Sequence, residues 1–133
     1  MKTTICKSFS RLVHALVIIF FLPFTAYAEE VVGTWCDQAV PTMPELDHVL
    51  EIVKTDEGKI ELRMELQDES LTTIELHQIS SGQFQRTDIA SKDTFRIITI
   101  SGNLQLSDVY GPIRQAFKLD SQETKEACLE GKR

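Results

Sequence analysis

The sequence predicts an all-β protein, an antiparallel meander of about eight strands closed into a small barrel, with a short C-terminal helix held by a disulfide. Three observations predict this fold. Segments of period-2 alternation follow one another closely, glycines stand at their connections, and no helical run of about 10 to 15 residues separates them. Eight is also the number of strands at which an antiparallel sheet can close with its interior just filled by side chains.

The N-terminus is typical of a secretory signal peptide. Three basic residues precede the apolar run 15–22, and Ala26 and Ala28 supply the small residues that a signal peptidase needs. The run is shorter than the roughly 20 residues of a membrane-spanning helix, so an N-terminal membrane anchor is the less favoured alternative. We therefore expect cleavage of residues 1–28. Residues 29–133 are expected to form one domain, in the periplasm or outside the cell if the source is bacterial, without stable membrane insertion.

The predicted domain is strongly acidic. The signal would remove three of the 14 Lys and Arg residues and none of the 20 Asp and Glu residues, which leaves a net charge of −9. Such a surface repels nucleic acids and anionic membranes and attracts basic partners. The alternative is that the charge serves solubility alone.

Two cysteines, Cys36 and Cys128, lie beyond the signal, and cysteines in an oxidising compartment usually pair. Their disulfide would close a loop of about 93 residues, worth roughly 4–5 kcal/mol in the chain-entropy model. A catalytic thiol is the alternative, but no Cys-x-x-Cys motif occurs and a lone exported thiol would be oxidised.

The elements follow from the alternation along the chain. The stretch 31–37, which holds the only tryptophan, Trp35, is predicted to be the first strand. The clearest strand covers residues 59–67, where a face to be buried (Ile60, Leu62, Met64, Leu66) alternates with a wet face (Glu61, Arg63, Glu65). The eight predicted strands cover residues 31–37, 46–55, 59–67, 71–79, 82–88, 94–100, 103–107 and 112–119.

The C-terminal tail predicts a helix over about 121–130. Asp120 or Ser121 can cap it, Glu123 suits a capping box, and Gly131 can end it. This helix would carry Cys128 back to Cys36.

No residue pattern indicates catalysis, and no cofactor or metal is predicted. His48 and His77 lack the spacing of metal ligands, and no Gly-x-Ser-x-Gly motif is present. The adjacent acids 56–57 and 68–69 fall in predicted turns, where a pair flanking a catalytic cleft is not expected.

Two arginines interrupt apolar faces. Arg86 falls in step with Phe84, and Arg96 lies between Phe95 and Ile97. The favoured interpretation is a strand edge or bulge that turns each arginine to water, since an unpaired arginine inside a barrel is costly. An arginine that pointed inward would mark a site for a carboxylate-bearing ligand.

Gly33-Thr34-Trp35 resembles the Gly-x-Trp motif in the first strand of lipocalins and related barrels. In that family the tryptophan closes one barrel end and an arginine of the last strand packs across it, so the resemblance implies this role for Arg114. The architecture and predicted compartment are also similar to small disulfide-linked barrels that inhibit lysozyme in the bacterial envelope. The Ser-Gly and Tyr-rich loop motifs of those inhibitors are absent from this sequence.

These observations rank three hypotheses. The first is an exported acidic binding module, an inhibitor or immunity-type binder of a basic envelope or secreted protein, with Arg86, Arg96 and the Val109–Tyr110 loop as candidate contacts. The second is a carrier of a small apolar ligand inside the barrel. An enzyme with dispersed catalytic residues ranks lowest.

Overall fold

The computed structural model describes residues 28–88 and 92–132, which form a closed eight-stranded antiparallel barrel followed by one α-helix. Each strand pairs with the next along the chain, and β8 pairs with β1, so the predicted meander and its closure are confirmed. Apart from Ala28, the predicted signal peptide lies outside the described residues. The strands are β1 (Glu30–Asp37), β2 (His48–Lys54), β3 (Ile60–Glu65), β4 (Leu71–Ser80), β5 (Gln83–Arg86), β6 (Thr94–Ile97), β7 (Leu104–Asp108) and β8 (Gly111–Lys118).

Trp35 fills one end of the barrel. Its side chain is buried, and its indole Nε1 donates a hydrogen bond of 2.7 Å to the carbonyl of Gly102, in the β6–β7 connection. A Cβ added at Gly33 would lie 2.5 Å from two carbon atoms of the indole, so the position admits no larger residue without displacing the ring. We call this end, where the β2–β3, β4–β5 and β6–β7 connections lie, the closed end.

The core lies inside the barrel and is built from the predicted alternation. Ten buried side chains, with at least one from each of the eight strands, form one cluster. They are Trp35, Leu50, Ile52, Leu62, Leu76, Phe84, Phe95, Leu104, Leu106 and Ala116. Ile60 and Met64 pack against it from β3. On the outer face of that strand, Glu61 and Arg63 pair with each other.

Strand ends differ from the predicted bounds. Leu66 was expected to be buried, but β3 ends at Glu65 and Leu66 enters the turn that its own N–H closes on the carbonyl of Ser70, which leaves it 38% exposed. The predicted strand 94–100 ends at Ile97, because a turn between Ile98 and Asn103 follows. A 3₁₀-helix, Pro44–Leu46, precedes β2 and delays its start to His48.

A second, smaller core lies outside the barrel wall. The predicted disulfide joins Cys36 to Cys128, with their Cα atoms 5.8 Å apart, and packs with the buried Val49. It fastens helix α1 (Gln122–Leu129) to β1. Because Val49 lies beneath this contact, β2 has buried apolar side chains on both of its faces.

Ser121 caps the N-terminus of the helix and forms a capping box with Thr124, the third residue after it. The predicted box partner, Glu123, lies one position too early for this cap. The N–H of Gly131, at a φ of +66°, closes the other end on the carbonyl of Cys128. Within the described residues, no helix is long and apolar enough to cross a membrane.

Removal of the disulfide should destabilise the barrel strongly. Replacing Cys36 and Cys128 together with alanine should lower the free energy of unfolding by about 4–5 kcal/mol, since the 92-residue separation makes loop closure costly. Urea denaturation with and without reductant measures this. Reductant should lower the midpoint of the native protein towards that of the double variant and leave the variant unchanged. If the urea midpoint of the native protein is the same with and without reductant, the disulfide does not have the expected stabilising role.

Two leucines of the same alternation should differ in their contribution to stability. Leu62 is 1% exposed, so Leu62→Ala should destabilise the protein by about 2–5 kcal/mol through loss of packing. Leu66→Ala, the matched control, should cost less than about 1 kcal/mol because the side chain already meets water. Equal losses in urea denaturation would show that the inward face of β3 is assigned wrongly.

Candidate functional site

The end of the barrel opposite Trp35 contains a cavity of about 180 Å³, and we call this end the mouth. The β1–β2, β3–β4, β5–β6 and β7–β8 connections all emerge here. Ligand sites for drug-sized molecules usually have volumes of about 300–1,000 Å³, so this cavity suits only a small group. Its lining comes from around the whole barrel: Asp37, His48, Leu50, Leu62, Met64, Ile74, Arg86, Asp93, Phe95, Leu106, Ser107, Ile113 and Arg114.

A buried carboxylate shared by two basic side chains forms one wall of the cavity. Asp37 is 0% exposed. Arg114 binds it in bidentate fashion, with Nε donating to Oδ1 at 2.8 Å and Nη2 to Oδ2 at 2.7 Å. The Nε2 atom of His48 lies 3.3 Å from the same Oδ2. The last residue of β1, the first residue of β2 and an inward residue of β8 are thereby connected inside the barrel.

These contacts shift the pKa values of the group. Burial raises the pKa of Asp37, but the hydrogen bonds from Arg114 and His48 outweigh it and lower the pKa to about 2. The hydrogen bond to Asp37 raises the pKa of His48 above its ordinary value, against the opposing effect of burial. Asp37 is therefore ionised at any physiological pH, and His48 is held towards its charged form.

The surroundings of His48 suit the charged form of its imidazole ring. Its Nδ1 lies 3.3 Å from the carbonyl oxygen of Leu46 and its Nε2 faces Asp37, so both ring nitrogens of the imidazolium have acceptors. Ser107 lines the same cavity, but a serine nucleophile needs a neutral histidine nitrogen directed at it. The three residue types of a hydrolytic triad are thus present in a geometry that favours a fixed ion cluster.

Arg86 enters the cavity, whereas Arg96 does not. Arg86 lines the mouth and is 26% exposed, with Nε donating to Asp88 at 2.8 Å and Nη1 lying 3.7 Å from Asp93. The favoured interpretation of the sequence, an arginine turned out to water, is wrong for Arg86 because the period-2 rule keeps it on the inward side with Phe84. Arg96 is exposed on the outer side of β6.

Arg114 has a different partner from the one that the lipocalin resemblance implies. The register places Lys118, not Arg114, beside Trp35. Four residues along β8, about 13 Å at the usual rise per residue, separate the two basic side chains. Trp35 closes one end of the barrel, and Arg114 binds Asp37 at the other.

Exposed apolar side chains are concentrated around the mouth. Tyr110, a candidate contact from the sequence, is 94% exposed in the β7–β8 turn. Most of the large exposed apolar side chains in the described part of the chain lie at this end, namely Met43, Leu46, Leu66, Leu71, Val109, Tyr110 and Ile113. We call this set the rim.

Sequence reasoning missed Asp37 and regarded His48 as an ordinary strand residue. The signal that would have found Asp37 is the same alternation that found Arg86: if Trp35 points inward, so does the residue two positions later. His77, by contrast, lies exposed on the outer face as expected. Among residues 28–88 and 92–132, no group of three or more His, Cys, Asp or Glu side chains is placed to hold a metal ion.

Comparison of the chain with models of protein families, with curated proteins and with solved structures finds no match.

The ion cluster should make stability depend on pH in a defined window. The contribution of His48, whose pKa is raised on folding, is complete below pH 6.5 and is lost as the pH rises through its folded pKa. The contribution of Asp37 is complete above pH 3.8 and is lost as the pH falls towards 2. His48→Gln should therefore lower the free energy of unfolding more at about pH 5.5 than at about pH 8.5.

Urea denaturation at the two pH values measures this difference. His77→Gln is the matched control, because His77 is exposed and makes no contact with the cluster. It should leave the difference between the two pH values as in the native protein. If His48→Gln costs the same stability at both values, the cluster does not hold His48 in its charged form.

Proposed function

We propose that this protein is an exported binding module that recognises another protein, of basic charge, with the mouth of its barrel. The observation that carries the proposal is the rim, which holds seven of the twelve large apolar side chains that are exposed in the described residues. Exposed apolar patches bordered by polar residues mark interaction sites in soluble proteins. The disulfide supports the compartment, since such bonds persist where the environment is oxidising.

The composition of the rim fits a protein partner. Tyrosine and methionine are enriched at protein interfaces, and both are present here in Tyr110 and Met43. Tyr110 stands at the tip of a two-residue turn whose backbone is held by a hydrogen bond from its own N–H to Asp108 Oδ1 at 2.8 Å. An aromatic side chain on a fixed backbone loses little freedom on binding, which favours it as an anchor.

The charge at the mouth favours a basic partner. The four connections at this end contain six acidic residues and one lysine, namely Glu45, Asp47, Asp68, Glu69, Asp88, Asp93 and Lys92. The connections of the closed end contain Asp56, Glu57 and Lys59. Acidic residues are therefore more numerous in the connections at the mouth than in those of the closed end, and complementary charge there would speed the encounter with a basic protein.

A carrier of a wholly enclosed apolar ligand is the second candidate, and the size of the cavity decides against it. About 180 Å³ is below the range of sites that enclose drug-sized ligands. The ten core side chains fill the rest of the barrel, and four of them form the apolar floor of the cavity. A partner that lies over the mouth and inserts one group fits the available space better.

Two charge-reversal variants distinguish recognition at the mouth from a general effect of charge. Glu45→Lys with Glu69→Lys alters the mouth, and Asp56→Lys with Glu57→Lys makes the same change in net charge at the closed end. The probe is lysozyme, a basic hydrolase of the class that the resemblance to envelope inhibitors implies. The mouth variant should slow association about tenfold or more at low salt, since steering depends on charges near the contact.

Surface plasmon resonance at about 0.1 M and about 1 M salt measures the rates, with the steering effect lost at high salt where charges are screened beyond about 3 Å. Tyr110→Ala should speed dissociation, whereas Ile100→Ala, an equally exposed turn residue at the closed end, should not. Equal effects of the mouth and closed-end variants would show that the acidic surface serves solubility. The same panel extends to other basic exported hydrolases and toxins.

A further inference from the structure

The cavity is lined by more basic than acidic side chains, although the domain as a whole is acidic. Residues 29–133 carry a net charge of −9, yet the titratable side chains that line the cavity are two arginines and one histidine against two aspartates. The two arginines balance the two aspartates, and His48, whose pKa the hydrogen bond to Asp37 raises, is the additional basic group. A cavity lined by more basic than acidic side chains is not explained by solubility, and it differs from the acidic connections around it.

Arg114 presents part of its guanidinium group to the cavity. Its contacts with Asp37 use Nε and Nη2, so Nη1 is the nitrogen that is not engaged with that carboxylate. The single charge of Asp37 is also shared with His48, at 3.3 Å. The cluster of the three residues therefore holds more positive than negative charge when His48 is protonated.

Arg86 lines the same cavity from the end of β5. Its acidic neighbours Asp88 and Asp93 have side chains that are 46% and 39% exposed. Arg86 holds Asp88 in bidentate fashion, through Nε at 2.8 Å and through Nη2, whereas its Nη1 lies 3.7 Å from Asp93. The contact with Asp93 is the longer one, and water competes for both of its partners. A carboxylate arriving from solvent could thus compete with Asp93 for Nη1 of Arg86 and leave the bidentate pair with Asp88 in place.

The floor below these charges is apolar. Leu50, Leu62, Phe95 and Leu106 belong to the barrel core and line the cavity. A dry cavity of about 150 Å³ with such a lining holds benzene in another protein. At about 180 Å³, this cavity has space for one such ring or a branched chain of similar size, with a charged group left at the mouth.

We infer that the mouth cavity binds a small organic carboxylate, with its apolar body on the core side chains and its carboxylate held between Arg86 and Arg114. Guanidinium groups bind carboxylates through paired hydrogen bonds, which would fix the orientation of the ligand. This site goes beyond the proposed recognition of a basic protein, since it selects for the opposite charge. It also does not require the protein partner to be known.

The test is a titration of the whole predicted domain, residues 29–133 with its disulfide, followed by two-dimensional NMR. Benzoate is the probe, and benzamide and benzylamine are matched compounds that keep the ring and change the charge. Benzoate should shift the signals of residues in the cavity lining and bind at least tenfold more tightly than either compound. Equal binding of the three compounds would show an apolar pocket without selection for charge and would overturn the inference. Preferential binding of benzylamine would overturn it as well.

Arg86→Gln should weaken the binding of benzoate by tenfold or more, while Arg96→Gln, on the outer side of the adjacent strand, should change it less than twofold. Arg86 lies at the mouth and outside the apolar core, so its replacement should leave the spectrum of the folded domain intact. Ile74→Phe, which adds volume in the cavity, should abolish the binding of all three compounds. If Arg86→Gln and Arg96→Gln behave alike, Arg86 does not hold the carboxylate and the inference fails. The titration uses no protein partner, so its failure would leave the proposed recognition of a basic protein standing.

Discussion

The inward face of β1 determines the interior of this barrel from one end to the other. Because Gly33 has no side chain, the indole of Trp35 can lie against its backbone. The indole fills the closed end and donates a hydrogen bond to the carbonyl of Gly102. Two positions later, Asp37 draws Arg114 and His48 together at the mouth. An apolar closed end and a charged open end thus follow from three alternating residues of one strand, and the remaining strands supply the aliphatic layer between them.

The junction between the first and last strands is fastened on both faces. The register there is short, joining Trp35 with Lys118 and Cys36 with Phe117. On the outer face, Cys36 is bonded to α1, which directly follows β8. On the inner face, the adjacent residue Asp37 binds Arg114 of β8. A seam with few backbone hydrogen bonds is therefore reinforced by one covalent bond and one buried ion pair at neighbouring positions, where an open edge would expose unpaired backbone groups.

The fold was predictable because each of its main devices has a local or compositional signal. Alternation as in Ile60 to Met64 predicts strands, and two cysteines that follow a predicted signal peptide predict a disulfide. Strand ends were less predictable, since apolar residues such as Leu66 and Ile100 continue the pattern after the backbone has turned away. The ion cluster was not predictable from local pattern, because Asp37 and Arg114 are 77 residues apart and meet only when the barrel closes. Alternation could assign each of them to the interior, but only the closed register brings them together.

The pairing of β1 with β8 also determines which contacts can form early and which must form late as the chain is synthesised and folds. Residue 36 emerges from the ribosome long before residue 128, so neither the seam nor the disulfide can form until nearly the whole domain has been synthesised. Contacts of such large sequence separation form slowly, because much chain entropy must be lost before they are made. Until then β1 presents a free edge and an exposed tryptophan, which are features that chaperones bind and that aggregation exploits. Closure of the barrel and oxidation of Cys36 and Cys128 are therefore late steps in the folding of this domain.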